Sequence, residues 1–262
     1  MPIARKSFSP LLACLVLGSS SSWVAYATPQ ATTSTAAAPE QLVNALRKVL
    51  TQRIPNFRNI DEITASPWPG VYEVRFGGTE IVYTDASGQF LMQGAMIDTK
   101  TRVNLTEQRI EKLTAINFSE LPIKDALVFK QGDGSRKLAV FADPNCGYCK
   151  RLERDLVGLN NVTIFVFVMP MLGPDSTVKS RDIWCAADAP RAWRAWMIDG
   201  VAAVKAADSC NHTVLDRNIA VGRKHRISGT PALIFEDGTR KPGALPAKAV
   251  EDLLSAAAAK KS

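Results

Sequence analysis

The chain has 262 residues, 46% of them hydrophobic and 22% charged, with a formal net charge of +7 at pH 7. That length is enough for one or two domains with real cores. The positive charge is mild and never gathers into a run, so it reads as solvated surface and speaks against a nucleic-acid-binding chain.

Residues 1–27 read as a secretory signal peptide. Arg5 and Lys6 form the basic start, 11–17 is a short apolar run, and Ala25-Tyr26-Ala27 is the cleavage site. Serines at 19–22 interrupt the apolar run, which is too short to span a membrane. Cys14 is a poor lipid acceptor, because the apolar run continues past it. Cleavage removes two basic residues and no acidic one, and the net charge falls to +5. Residues 28–39 are, apart from Gln30, Thr, Ala, Ser and Pro without apolar periodicity, a disordered leader.

Leu42, Leu46, Val49 and Leu50 recur at helical spacing over 40–53, and Pro55 stops that helix. From Val71 the period becomes two. Strands are predicted over 71–76, 79–84 and 89–97, with turns at Gly77-Gly78 and 85–88. A sheet of three strands and one helix has a thin core, and pairing with a second copy would bury more of it. Asn104 with Glu107 marks a helix start, and a helix is predicted over 106–117, continuing irregularly through Pro122 to 129. Residues 131–134 form a turn.

The apolar run 138–141 then leads into Asp143-Pro144-Asn145 and Cys146-Gly147-Tyr148-Cys149, and a helical pattern follows at once. This places Cys146 at a helix N-terminus, where unpaired N–H groups and the helix dipole stabilise a thiolate. Cys149 is spaced to close a small disulfide ring with it. The stretch by itself argues a redox site, with Cys146 exposed on the turn and Lys150 and Arg151 nearby. Residues 162–168 are continuously apolar, as in a strand buried on both faces. A long helical section is predicted over 175–224, with Trp184, Trp193 and Trp196 as core. A disulfide between Cys185 and Cys210 would add about 3 kcal/mol on chain entropy. Pro231 opens a strand over 231–235, the one place a sheet tolerates proline, and a helix closes the chain over 245–259. The four cysteines beyond the signal peptide fit two disulfides in an exported protein, and His212 and His225 lack zinc-ligand spacing to them. No metal and no cofactor are expected.

Cys146-Gly-Tyr-Cys149 opening a helix, with Gly229-Thr230-Pro231 opening a later strand, resembles the thioredoxin fold. The helical insertion with its own cysteine pair narrows the resemblance to exported disulfide isomerases of the DsbC/DsbG type. Asp182-Ile183-Trp184-Cys185-Ala186 and Asp237-Gly238-Thr239-Arg240 resemble that family too. The resemblance implies a mixed α+β and α/β architecture. An N-terminal α+β (cystatin-like) dimerisation domain covers 40–105 and a linker helix region 106–130. A thioredoxin-like domain covers 131–262, with its helical insertion at about 175–224.

The family further implies a homodimer in the periplasm and a cis Thr230–Pro231 bond. Cys146 is then the nucleophile and Cys149 the resolving thiol, with Gly147, Tyr148, Thr230 and Pro231 around the substrate. Cys185 and Cys210 form a structural disulfide. Partners are misfolded, disulfide-containing exported proteins and a membrane reductase of the DsbD type. Thioredoxin's buried acid, six residues before its first cysteine, is replaced by Val140, so a carboxylate proton relay under Cys149 is not supported. Two other functions compete: a dithiol oxidase of the DsbA type, and a holdase chaperone that binds unfolded chains.

Overall fold

A computed structural model describes residues 37–57 and 59–260. The signal peptide and most of the expected leader lie outside the described residues. Among the described residues, no helix is long and apolar enough to cross a membrane.

Helix α1, Glu40–Arg53, buries Leu46 and Leu50, one turn apart on one face. They pack on Phe57, in the short turn Pro55–Phe57, and on Ile60, Ile63, Val74 and Val82 of an antiparallel sheet ordered β1-β2-β3-β4. Its strands are β1 Ile60–Ala65, β2 Val71–Phe76, β3 Glu80–Asp85 and β4 Leu91–Met92. Strand β1 is absent from the sequence reading. Its register shifts between Ile60 and Glu62, a bulge that puts both Ile60 and Ile63 inside and breaks the period of two.

The strand predicted over 89–97 is also corrected. The Asp85 carboxylate accepts the N–H groups of Gln89 and Phe90, both at 2.9 Å, and so takes them out of the ladder. Only β4 remains paired to β3, while β5 Ile97–Asp98 pairs separately with β6 Val103–Asn104.

Helix α2, Leu105–Thr114, starts where Asn104 Oδ1 accepts the Glu107 N–H at 3.0 Å. It ends three residues before the predicted stop. The Ile116 N–H is drawn to the Gly238 carbonyl at 3.0 Å, and the Ile116 side chain is buried. Arg109 ties α2 to Glu62 and Glu73 of the N-terminal sheet, and Lys241 reaches Glu111 from the other side.

The second sheet has the order β11-β10-β8-β9-β7. Residues 127–130, assigned to the linker from sequence, belong to β7, Leu127–Gln131, which pairs antiparallel with β9. Leu127 and Phe129 alternate inward, a pattern too short to read beside the irregular turns around Pro122. Strands β8 Arg136–Ala142 and β9 Val162–Val168 run parallel at the centre. Alternate residues of β8 face opposite ways. Leu138, Val140 and Ala142 join a core that includes Leu152 and Leu156 of α3 (Gly147–Val157) and Val250 and Leu254 of α7 (Ala247–Ala259). Ala139 and Phe141 join a second core on the other face, where Phe141 stacks on Phe167 at 4.7 Å between ring centroids. Strands β10 Ala232–Phe235 and β11 Arg240–Pro242 complete the sheet.

The section 175–224 is not continuously helical. Helix α4 spans Pro174–Trp184 and α5 Ala189–Arg194, followed by a π turn, Ala195–Asp199. Gly200 stops it in the left-handed conformation, φ +72°, which a glycine adopts at no steric cost. Irregular chain leads on to α6, Thr213–Lys224. A disulfide joins Cys185, at the end of α4, to Cys210, with Cα atoms 6.2 Å apart. Trp193 is fully buried in the core.

Candidate active site

Strand β8 ends at Ala142, and the turn Asp143-Pro144-Asn145 delivers Cys146 to the N-cap of α3. The Cys146 Sγ accepts the Cys149 backbone N–H at 3.4 Å, so the sulfur sits on the helix's unpaired donors. Both sulfurs are free thiols.

Cys146 is not exposed on the turn: it is only 6% accessible. The reason is tertiary. The segment before β10 returns over the site, and Cys146 Sγ donates to the Thr230 carbonyl at 3.2 Å. The Thr230–Pro231 peptide bond is cis. Tyr148, between the cysteines, is the side chain that projects, at 68% accessible. Lys150 points elsewhere, with Nζ 4.2 Å from the centroid of the Trp196 ring.

Cys149 is 2% accessible. Burial pushes its thiol up, because a thiolate there loses hydration. Hydrogen bonds from the Asp143 backbone and the Thr230 side chain pull the other way and are outweighed.

Sequence reasoning missed two buried carboxylates. Asp143 accepts the N–H groups of Asn145 (2.7 Å), Met171 (2.7 Å) and Leu172 (3.0 Å) and the Ser176 hydroxyl (2.8 Å). Glu153, one turn beyond Cys149 on α3, accepts from Trp193 Nε1 at 3.0 Å and Arg194 Nε at 3.1 Å. Both are occupied by donors. The one local signal was a short acid immediately after an apolar strand. The insertion also reaches the other two turn residues: Trp196 Nε1 donates to the Pro144 carbonyl at 2.7 Å, and Asn145 Nδ2 to Asp175 Oδ2 at 2.7 Å.

A dithiol at a helix head, on the central strand of a sheet with helices on both faces, can exchange disulfides and needs no cofactor to do so. Fold and site together define a thiol–disulfide oxidoreductase of thioredoxin fold. The comparisons with known proteins refine that class. Residues 29–107 match the disulfide bond isomerase protein N-terminal domain, and residues 123–258 match the thioredoxin-like domain. The chain is 42% identical over 216 residues to the probable thiol:disulfide interchange protein DsbC of Bordetella pertussis, covering 82% of this chain and 75% of that one. It is 30% identical over 201 residues to the thiol:disulfide interchange protein DsbC of Escherichia coli, covering 74% of this chain and 80% of that one. A solved disulfide interchange protein from Neisseria gonorrhoeae is 32% identical, covers 52% of this chain and 97% of its own, and superposes with a TM-score of 0.49. The chain belongs to the DsbC family of thiol:disulfide interchange proteins.

Proposed function

We propose that this chain rearranges non-native disulfides in exported proteins, as an isomerase before it is a reductase. Cys146 is the nucleophile. Its thiolate attacks one sulfur of a substrate disulfide, the substrate S–S bond breaks, and the second substrate sulfur leaves as a thiolate that takes up a proton. A substrate thiol then attacks the mixed disulfide and leaves the substrate rearranged and Cys146 reduced. Alternatively Cys149 attacks Cys146, and the substrate departs reduced.

The observation that carries this reading is the contrast between the two sulfurs. Cys146 rests on the head of α3, while Cys149 is buried with its thiol pushed up. A slow second sulfur gives substrate thiols time to act first. Gly147 and Tyr148 shape the surface the substrate meets. Thr230 and Pro231 present backbone to an extended substrate segment, an edge-pairing mode of recognition. The Cys185–Cys210 disulfide holds the insertion and takes no part in exchange.

Two copies pair through the N-terminal sheet. Its edge strand β4 carries exposed Leu91 and Met92 next to Phe90, 67% accessible, and Ile97 and Val103 of the β5-β6 pair are exposed as well. An unpaired edge with apolar side chains is a template for another chain. The protein works in the periplasm, where a membrane reductase of the DsbD type returns electrons to the dithiol.

Refolding of a scrambled multi-disulfide protein tests the assignment. Wild type is expected to restore native pairing, and Cys146→Ser to give only the uncatalysed rate. Full activity in Cys146→Ser would remove the catalytic assignment and leave a chain-binding role.

A further inference from the structure

The turn before the dithiol is held at three successive residues by the helical insertion and the segment leading into it, and most of those hydrogen bonds fall on Asp143. We propose that Asp143 is a positioning residue for the second chemical step: its buried carboxylate fixes the active-site turn so that its backbone meets the Cys149 sulfur. The proposal rests on Cys146 as nucleophile and Cys149 as resolving thiol.

The carboxylate is fully buried and takes hydrogen bonds from three places. Asn145 N–H comes from its own turn, Met171 and Leu172 N–H from the segment after β9, and Ser176 Oγ from α4. An ionised carboxylate accepts four such donors, whereas an amide offers one oxygen and would aim its NH₂ at N–H groups. This position therefore demands the acid for shape and charge together. The same residue's backbone serves the dithiol. Its carbonyl accepts the Cys146 N–H at 3.1 Å, and its backbone pulls the Cys149 thiol down against the effect of burial. Side chain and backbone of one residue thus connect the insertion to the second sulfur.

In the step concerned, the Cys149 thiolate attacks Cys146 in the mixed disulfide. The Cys146–Cys149 bond forms and the Cys146–substrate bond breaks. The substrate sulfur leaves with the electron pair and takes the proton that Cys149 released. The protein dithiol loses two electrons and the substrate disulfide gains them. A turn that drifts removes a donor from the Cys149 sulfur and slows this step, while Cys146 keeps its seat on α3.

The test mixes the reduced full-length protein with the chromogenic disulfide dithiobis(nitrobenzoate). Attack by Cys146 releases one aryl thiolate, and closure by Cys149 releases a second. In Asp143→Asn the second release is expected to slow about tenfold, the rate equivalent of one hydrogen bond, and the first to stay within about twofold. Ser176→Ala, which removes one of the four donors, is expected to slow the second release about threefold. A folded Asp143→Asn with an unchanged second release, or with both releases slowed alike, overturns the proposal. If Asp143→Asn fails to fold by circular dichroism, Ser176→Ala decides: selective slowing supports it and unchanged rates overturn it. A wild type that never releases the second thiolate overturns the resolving role of Cys149 itself, and the proposal with it.

Discussion

The two sheets of this chain bury their apolar residues in opposite styles. In the five-stranded sheet, the central strands β8 and β9 are apolar almost throughout and are buried in cores on both faces, while exposed apolar residues of that region such as Leu172, Val201 and Val204 lie outside the sheet. The N-terminal sheet packs one compact core under α1 and ends in a two-residue edge strand with Leu91 and Met92 exposed. The central strands of the first region are closed on both faces, and the turn after β8 holds the two sulfurs. The second is left with an apolar edge, which is the surface a second copy would use. On the proposed function, catalysis and assembly fall on separate sheets and should fail separately.

The largest separation is expected from Cys149→Ser. It should abolish net reduction and leave a mixed disulfide on Cys146 that survives on a non-reducing gel, with part of the isomerisation retained. The dimer, read by light scattering, should be untouched. Next is Trp193→Ala, which opens a cavity in the core that also holds Cys146 and Cys149 and leaves Glu153 short of a donor. A loss of about 3–5 kcal/mol is expected in chemical denaturation.

Leu91→Asp with Met92→Asp sharpens the contrast from the other side. Being surface changes in the protomer, they should cost it under about 0.5 kcal/mol, yet shift the molecule to a monomer and lower scrambled-protein refolding. If this pair destabilised the protomer as much as Trp193→Ala and left the size unchanged, the division between the regions would fail.

The smallest effect concerns pH. The Asp125 carboxyl sits between Arg217 Nε at 2.8 Å and Nη2 at 2.7 Å, and those hydrogen bonds hold it below the usual carboxylate range. Its contribution is present above the unfolded value of about 3.9 and is lost as pH falls through the lower folded value. Arg217→Ala should therefore flatten the acid limb of the stability curve, below about pH 4, and leave exchange at neutral pH unchanged.

What was legible in the sequence was local. The dithiol at the head of α3, the apolar run of β9 and the proline before β10 each announce themselves within a few residues. What was missed depends on distant chain or on broken periodicity. The burial of Cys146 comes from Thr230, 84 residues away. The partners of the Asp143 carboxylate beyond its own turn lie 28 to 33 residues downstream, so the neighbouring sequence does not show the acid before the dithiol to be an anchor. Strand β1 was hidden by its bulge, and the strand expected over 89–97 was dismantled by a side chain, Asp85, that takes its N–H groups. Hydrophobic period records neither bulges nor competing carboxylates.

The redox state of Cys146 and Cys149 in living cells tests the proposed isomerase most directly. Cells are quenched in acid, free thiols are alkylated with a mass tag, and the protein is resolved by size. The account predicts that the pair is found mostly reduced, with Cys146 available for attack. A pair found mostly as the Cys146–Cys149 disulfide would contradict it and make the chain a dithiol oxidase.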